Sequence, residues 1–351
     1  MGSVASLPRL TSDFDYELPR DLIAQKPLPQ RDESRMMVVV RREGEIIHSR
    51  FFDLPDYLHK GDILVLNSTK VIPAKAWGKK DGLDIEFLFL KEREDGAWEV
   101  LCRPAKKIKK GDRIVFASGF EAYVANVEEA GKRVLRFFEG EVLARLKNIG
   151  FAPLPPYIKR PKRDTNLRPL DLERYQTVFA RKEGAIAAPT AGLHFTPQIL
   201  ERIKKRGVIV CDVNLEVGQA TFQPVRAERI VDHKMLEESF AISPLAARKI
   251  NLAKKENRPV VAVGTTVVRA LESASEQGRV SSGTGSTSLF IYPGYTFKTI
   301  DRLLTNFHLP RSTLLMLVSA FAGPDLIQKA YAEAVRQRYR FYSYGDCMLL
   351  I

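Results

Sequence analysis

The sequence predicts a mixed α/β protein, a larger α/β domain interrupted by a small all-β barrel. Three observations lead there. The chain has 351 residues, more than a single hydrophobic core usually serves, so two domains are expected. Short alternating strands without helical patterning fill the stretch 75–155. Beyond it, strand and helix signals alternate. The expected division is therefore 1–74 with 156–351 for the α/β domain, and 75–155 for the inserted barrel.

In chain order, MMVVV from Met36, EIIHSRFF from Glu45 and GDILVLNSTKVIPAKAW from Gly61 read as strands, the last broken at Asn67-Ser68. LPDYLHK is a short helical piece before the Gly61-Asp62 turn. The barrel strands are DIEFLFLKE, AWEVLCRP, DRIVFA, EAYVANVE and RVLRFFE, separated by Gly- and Lys-rich turns. Thr196-Pro197 supplies a helix N-cap and first turn, Ile199, Leu200 and Ile203 an apolar stripe, and Gly207 the stop before VIVCDVNL. Ser243-Pro244 repeats the device for a helix through Lys255. PVVAVG is then a buried strand, Thr265 opens the helix of VVRALESA, Pro324–Arg336 is amphipathic, and a last strand surrounds Cys347–Ile351.

Lys plus Arg number 55 against 42 Asp plus Glu, a formal charge of +13, which makes a polyanion such as nucleic acid the first partner to consider. A merely soluble basic surface is the other reading. Cys102, Cys211 and Cys347 are odd in number, far apart and in no CxxC pair, which argues for a reducing cytoplasm and against a disulfide framework or zinc knuckle. No spaced His/Cys/Asp/Glu cluster suggests a metal. The N-terminus lacks a signal-peptide stretch, and Leu314–Ala322 is too short to span a bilayer. Met1-Gly2 with Ser6 matches a myristoylation pattern but has no polybasic stretch beside it. The GTGS at Gly283 precedes a strand, the wrong context for a dinucleotide site, and GxSxG is absent.

Four segments can carry chemistry. APTAGLHFT (188–196) puts small residues at a helix start, where a ligand can approach the backbone, with Thr190 and His194 as hydrogen-bonding side chains. A tight turn with an exposed histidine is the bland alternative. In VGTTVVRALE, Gly264, Thr265 and Thr266 open a helix with Arg269 one turn inside, suited to a carboxylate or phosphate, or else simply a cap. LTNFHLPRS sets Asn306, His308 and Ser312 among apolar neighbours; His308 is either a general base or a satisfied structural histidine. PPYIKRPKR interleaves Tyr157 with Lys159, Arg160, Lys162 and Arg163, a phosphate-contacting pattern with stacking nearby, or a solvated charged face; RPAKKIKKGDR from Arg103 is a second basic cluster. Arg31-Asp32-Glu33-Ser34-Arg35 reads as a surface ion pair of small worth.

In this order the motifs resemble the S-adenosylmethionine:tRNA ribosyltransferase-isomerase family of queuosine biosynthesis. The likeness runs through DFDYELPRDLIAQKPLPQRDESR, GDILVLNSTKVIPAK, PLPPYIKR, ERYQTVFA, AAPTAGLHFT, VGTT, FIYPGYTFK, LLTNFHLPRSTLLMLVSAFAG and YRFYSYGDCMLL, nearly the whole chain from Ser12. The resemblance implies a three-layer α/β domain interrupted by a small β-barrel, in agreement with the composition shift. It also implies transfer and isomerisation of the ribosyl part of S-adenosylmethionine onto 7-aminomethyl-7-deazaguanine in the tRNA anticodon loop, giving epoxyqueuosine-tRNA, adenine and methionine. S-adenosylmethionine is then a consumed donor, no metal is needed, tRNA is the partner, and a cytoplasmic monomer is expected. Carried onto this chain, proton work falls to His194, His308 or Glu216, and carboxylate or phosphate binding to Arg269 or the Thr265 helix start. Asn67, Thr190 and Asn306 would orient the nucleoside; Asp32, Arg35, Thr69, Ala191, Gly192, Phe195, Gly264, Thr266, Tyr292 and Ser312 complete the substrate set; Tyr157, Lys159, Arg160, Lys162 and Arg163 meet the RNA. The chain departs from the family pattern at Glu216 and Leu236, where relatives carry histidines, and at Ser68 and Lys70, where they carry Asp and Arg. Two other readings therefore stay open: a paralogue using S-adenosylmethionine on a different acceptor, and a non-catalytic RNA-binding protein.

Overall fold

The computed structural model describes residues 9–218 and 225–351; Met1, Gly2 and Ser6 lie outside them. The strands are β1 Arg35–Val40, β2 Glu45–Arg50, β3 Ile63–Asn67, β4 Thr69–Val71, β5 Lys75–Lys80, β6 Leu83–Glu92, β7 Trp98–Arg103, β8 Arg113–Phe116, β9 Glu121–Val127, β10 Lys132–Phe137 and β11 Lys182–Ala185. They continue with β12 Ile209–Leu215, β13 Glu238–Ile242, β14 Val260–Val263, β15 Ser275–Glu276, β16 Arg279–Val280, β17 Gly283–Thr287, β18 Arg302–Asn306 and β19 Cys347–Leu350. The α-helices are α1 Val142–Ile149, α2 Arg168–Arg174, α3 Pro197–Lys205, α4 Pro244–Lys255, α5 Thr265–Ser273, α6 Thr313–Ala322 and α7 Pro324–Arg336.

Two compact units result, one from Met1–Ser68, Thr177–Ala180 and Pro189–Ile351, the other from Thr69–Gln176 and Arg181–Ala188. The second is wider than the expected 75–155. β4 pairs in parallel with β11, and Ile72 and Ile186 enter the same apolar cluster as Phe87, Phe89 and Val100, so chain on both sides of the expected boundary is bound to the barrel.

The first unit is a mixed sheet in the order β17-β13-β12-β3-β14-β18-β19-β1-β2. β3 and β14 are buried along their whole length, as expected of strands covered on both faces. Leu64, Leu66, Val261 and Val263 share a cluster with Ile199 and Ile203 of α3 and with Phe51. Their alternates Ile63, Val65, Val260 and Ala262 are equally buried, and α4 and α5 pack on β3 and β14. Both expected caps form: Thr196 Oγ1 accepts from the Ile199 amide at 3.2 Å and Ser243 Oγ from that of Ala246 at 3.1 Å.

The second unit holds a closed barrel, β10-β7-β6-β5-β8-β9. Ala76, Gly78, Ile85, Phe87 and Phe89 point inward, while Lys75, Trp77 and Glu86 alternate outward. Gly78 has to lack a side chain, since a Cβ there would lie 2.7 Å from Ile114 Cγ2 inside the barrel. The stretch read as free of helices contains one, α1, whose Val142 and Leu146 bury into the barrel core and whose chain stops at Gly150.

Candidate active site

β3, β12, β14 and β18 run parallel to one another as neighbours, so their carboxyl ends share one edge of the sheet. β18 is antiparallel to β19, and β19 parallel to β1, so the starts of β19 and β1 reach that same edge: Asn306 is registered with Cys347, and Cys347 with Met36. The outer carboxyl ends of parallel strands are where open α/β sheets bind ligands. Asn67, Glu216, Gly264, Thr265, Thr266 and Asn306 all sit at this edge, as do Asp32 just before β1 and Arg35 at its start.

The two most distinctive motifs meet here. Asn306 Nδ2 lies 3.1 Å from His194 Nε2 and reaches the carbonyls of Tyr342 and Asp346, each at 3.3 Å. Since Asn306 presents its amide nitrogen to two carbonyls, it donates, and His194 Nε2 accepts. The other ring nitrogen, Nδ1, is 2.9 Å from Ser34 Oγ, whose own hydrogen goes to the Arg31 carbonyl at 3.0 Å; Nδ1 therefore carries the proton. His194 is thus a neutral ring with a fixed tautomer. Burial, helped by the Arg31 and Arg340 cations, pushes its pKa down to about 3. His308 is equally enclosed and, through burial alone, also pushed down to about 3; its Nε2 lies 2.8 Å from Thr305 Oγ1.

The loop 190–194 packs beside the start of α5, with Ala191 Cβ 3.7 Å from where a Cβ on Gly264 would stand. Gly264 has φ +89°, a backbone conformation that favours glycine, and opens α5 directly from β14. Gly192 is required for a different reason. A Cβ would come within 2.7 Å of Phe179 Cζ and 2.9 Å of Thr177 Cγ2. Ala191 and Phe195 are buried, and the Phe195 ring meets Phe51 and Phe179 edge-on. Asn67 exchanges hydrogen bonds with both backbone groups of Leu215, at 3.0 and 3.1 Å, and reaches Thr266 Oγ1 at 3.3 Å, tying β3 to β12 and α5.

Several expected ligand-binding residues are committed to the protein itself. Arg269, expected to grip a carboxylate or phosphate, is 6% exposed, forms an ion pair with Glu238 and donates to the carbonyls of Leu289 at 3.1 Å and Thr287 at 3.3 Å. Arg35 stacks 3.7 Å from the Tyr339 ring centroid and donates to the Gln337 carbonyl at 2.7 Å. Ser312 Oγ caps α6, accepting from the Leu315 amide at 3.2 Å and donating to the Leu309 carbonyl at 2.7 Å. Nor is the segment 31–35 a plain surface ion pair: Arg31 donates to the Leu193 carbonyl at 3.2 Å and Asp32 accepts from Thr196 Oγ1 at 3.1 Å. Thr190, Glu216 and Tyr292 are half-buried, and Thr265 and Thr266 at the α5 start are buried. Thr69, also expected, belongs to the other compact unit, fully buried on β4.

Sequence reasoning missed three buried groups. Ser34 sets the His194 tautomer, Glu238 neutralises Arg269 and accepts from the Gly218 amide at 3.0 Å, and Asp346 accepts from the Arg35 and Arg340 amides at 3.0 and 2.8 Å. Burial raises the Asp346 carboxyl above its ordinary value against the pull of those bonds. Only Ser34, between four charged residues, carried a local signal.

In the barrel unit, Arg160, one of the expected RNA contacts, is held by Asp171 through two bonds of 2.8 Å. Tyr157 and Lys159 are also engaged within the protein, Lys162 is exposed, and Arg163 pairs with Asp84 at 2.7 Å. The three cysteines are buried and unbridged, with the Cys211 thiol pushed up to about 12 by burial. No helix among the described residues is long and apolar enough to cross a membrane.

Comparison with known proteins agrees with this architecture. The S-adenosylmethionine:tRNA ribosyltransferase-isomerase of Moorella thermoacetica is 51% identical over 97% of this chain and 99% of its own, and that of Pelotomaculum thermopropionicum 52% identical over the same shares. The crystal structure of the S-adenosylmethionine tRNA ribosyltransferase from Thermotoga maritima superposes with a TM-score of 0.56 at 39% identity, covering 97% of this chain and all of that one. Residues 11–350 match the family described as queuosine biosynthesis protein, and with the motif loops seated together at the sheet edge, the chain belongs to that family.

Proposed function

We propose that the chain transfers and isomerises the ribosyl moiety of S-adenosylmethionine onto 7-aminomethyl-7-deazaguanine in tRNA, releasing adenine and methionine and leaving epoxyqueuosine. The supporting observation is the junction of His194 with Asn306, which brings the loops 190–196 and 304–308 to the carboxyl edge of four parallel strands beside the α5 start. S-adenosylmethionine occupies that edge as a consumed substrate. The glycine backbone at 264 allows close approach, and the α5 amides and Thr190 supply hydrogen bonds. It acts in the cytoplasm as a monomer.

The reaction needs a base for the ribose 5′ carbon, which the adjacent sulfonium acidifies, and then stabilisation of the leaving adenine and methionine. Among the three acid–base candidates, Glu216 takes the proton. It alone is half-exposed at the rim, whereas His194 and His308 are enclosed with ring nitrogens already bonded. The two histidines hold the loops in register.

The test is to incubate the purified chain with S-adenosylmethionine, with and without tRNA carrying the precursor base, and to measure free adenine. Adenine released only with that tRNA is the expected result; release with another acceptor identifies a paralogue, and none refutes the enzyme reading. Glu216→Gln is expected to lose turnover while binding the donor; full turnover in that variant would overturn the assignment of the base.

A further inference from the structure

The barrel carries a cleft of about 280 Å³ on its outer wall. Strand register lines up Trp77, Glu86 and Arg103 as direct neighbours across β5, β6 and β7, all on the outward face. Trp77 is half-buried and stands outside the apolar cluster of the barrel interior. The segment after Phe151 folds over this row, and the Arg163 guanidinium carbon stands 5.6 Å from the Trp77 ring centroid. Arg163 is held at φ +55°, a conformation uncommon for a residue with a side chain. Nearby Arg103 and Lys162 are exposed, and their side chains have no hydrogen-bond or ion-pair partner among the described residues.

We infer that this cleft binds one unpaired nucleotide of the RNA substrate, with its base on Trp77 and its phosphate at Lys162 and Arg103. An aromatic face beside cations is how single-stranded nucleic acid is gripped, since every base has a π-face and every linkage an anion. Glu86, in the middle of the row, pairs with Lys75 at 3.7 Å and accepts from N–H groups on the base edge. The inference rests on the reading that tRNA is the substrate, but its test does not depend on turnover.

Trp77 is itself the reporter. Titration with a short single-stranded oligoribonucleotide, read by tryptophan fluorescence, should quench the wild type, and Trp77→Phe should remove that quench while Trp98 continues to emit. Trp77→Ala should weaken oligonucleotide binding roughly tenfold or more, and Trp77→Phe much less. Lys162→Ala should flatten the salt dependence by about one charge without changing the quench at low salt. Unaltered affinity in Trp77→Ala, or equal quenching by an acidic peptide or an RNA duplex, would overturn the inference. Adenine release by the wild type is measured in parallel: release with normal binding by Trp77→Ala refutes the cleft alone, whereas absent release refutes the enzyme reading.

Discussion

The sheet edge and the barrel cleft use polar residues in opposite ways. At the edge the polar side chains are buried and bonded: Asn67 to Leu215, Arg269 to Glu238, His194 to Ser34 and Asn306. In the cleft, Arg103 and Lys162 are exposed, Arg163 meets a surface aspartate and the Trp77 ring, and Trp77 is half-open. Buried polar groups are costly unless satisfied, so the edge resists change and fixes geometry. Exposed cations contribute little to stability and much to polyanion affinity. Substitutions should therefore separate the two regions, with folding effects at the first and salt-dependent binding effects at the second.

The largest effect is expected at Arg269. Glu238→Ala leaves its buried guanidinium without a counter-charge and should cost about 3–5 kcal/mol in denaturant unfolding. An apolar pair at both positions should recover most of it; if the single variant loses under one kilocalorie, the edge is looser than its hydrogen bonds indicate.

Acid should act on the same region. His194 and His308 bind protons in the unfolded chain near pH 6.5 but in the folded one only near pH 3. The stability this gives is full above pH 6.5 and is lost as pH falls through that window, at about 1.4 kcal/mol per pH unit for each histidine. His194→Gln should make the pH dependence of unfolding shallower by one such slope. An unchanged slope would mean that this ring titrates normally.

Gly192→Ala should cost about 1–3 kcal/mol, because its new Cβ presses on Phe179 and Thr177, measured by thermal or denaturant unfolding. The smallest effect belongs to the barrel surface. Arg163→Ala should change stability by less than about 1 kcal/mol. Arg160→Ala, which breaks the bidentate pair with Asp171, should cost about 1.5–3 kcal/mol. Equal losses at 160 and 163 would erase the distinction between a structural and a ligand-facing arginine.

Period and caps made much of this fold legible in the sequence. Thr196 and Ser243 cap the expected helices because a hydroxyl before proline leaves the chain few other uses for it. Alternation identified the barrel strands, but the eight residues of α1 were too short a pattern to stand out among them. Motif residues at the sheet edge were legible as a group; their individual duties were not. A buried arginine and a ligand-binding arginine look alike in sequence. Arg269 and Arg160 differ from Lys162 only through Glu238 and Asp171, partners that the chain brings in from 31 and 11 residues away. Asp346 and Ser34 became visible only when β19 paired with β1.

Amide hydrogen exchange with each substrate in turn tests most directly whether the donor and the RNA are held in the two different ways described. S-adenosylmethionine should protect amides of 190–196 and 264–268 and leave 155–164 unchanged, and tRNA should protect 155–164. Protection of 155–164 by S-adenosylmethionine, with 190–196 and 264–268 unaffected, would contradict the placement of the donor at the carboxyl edge of the sheet.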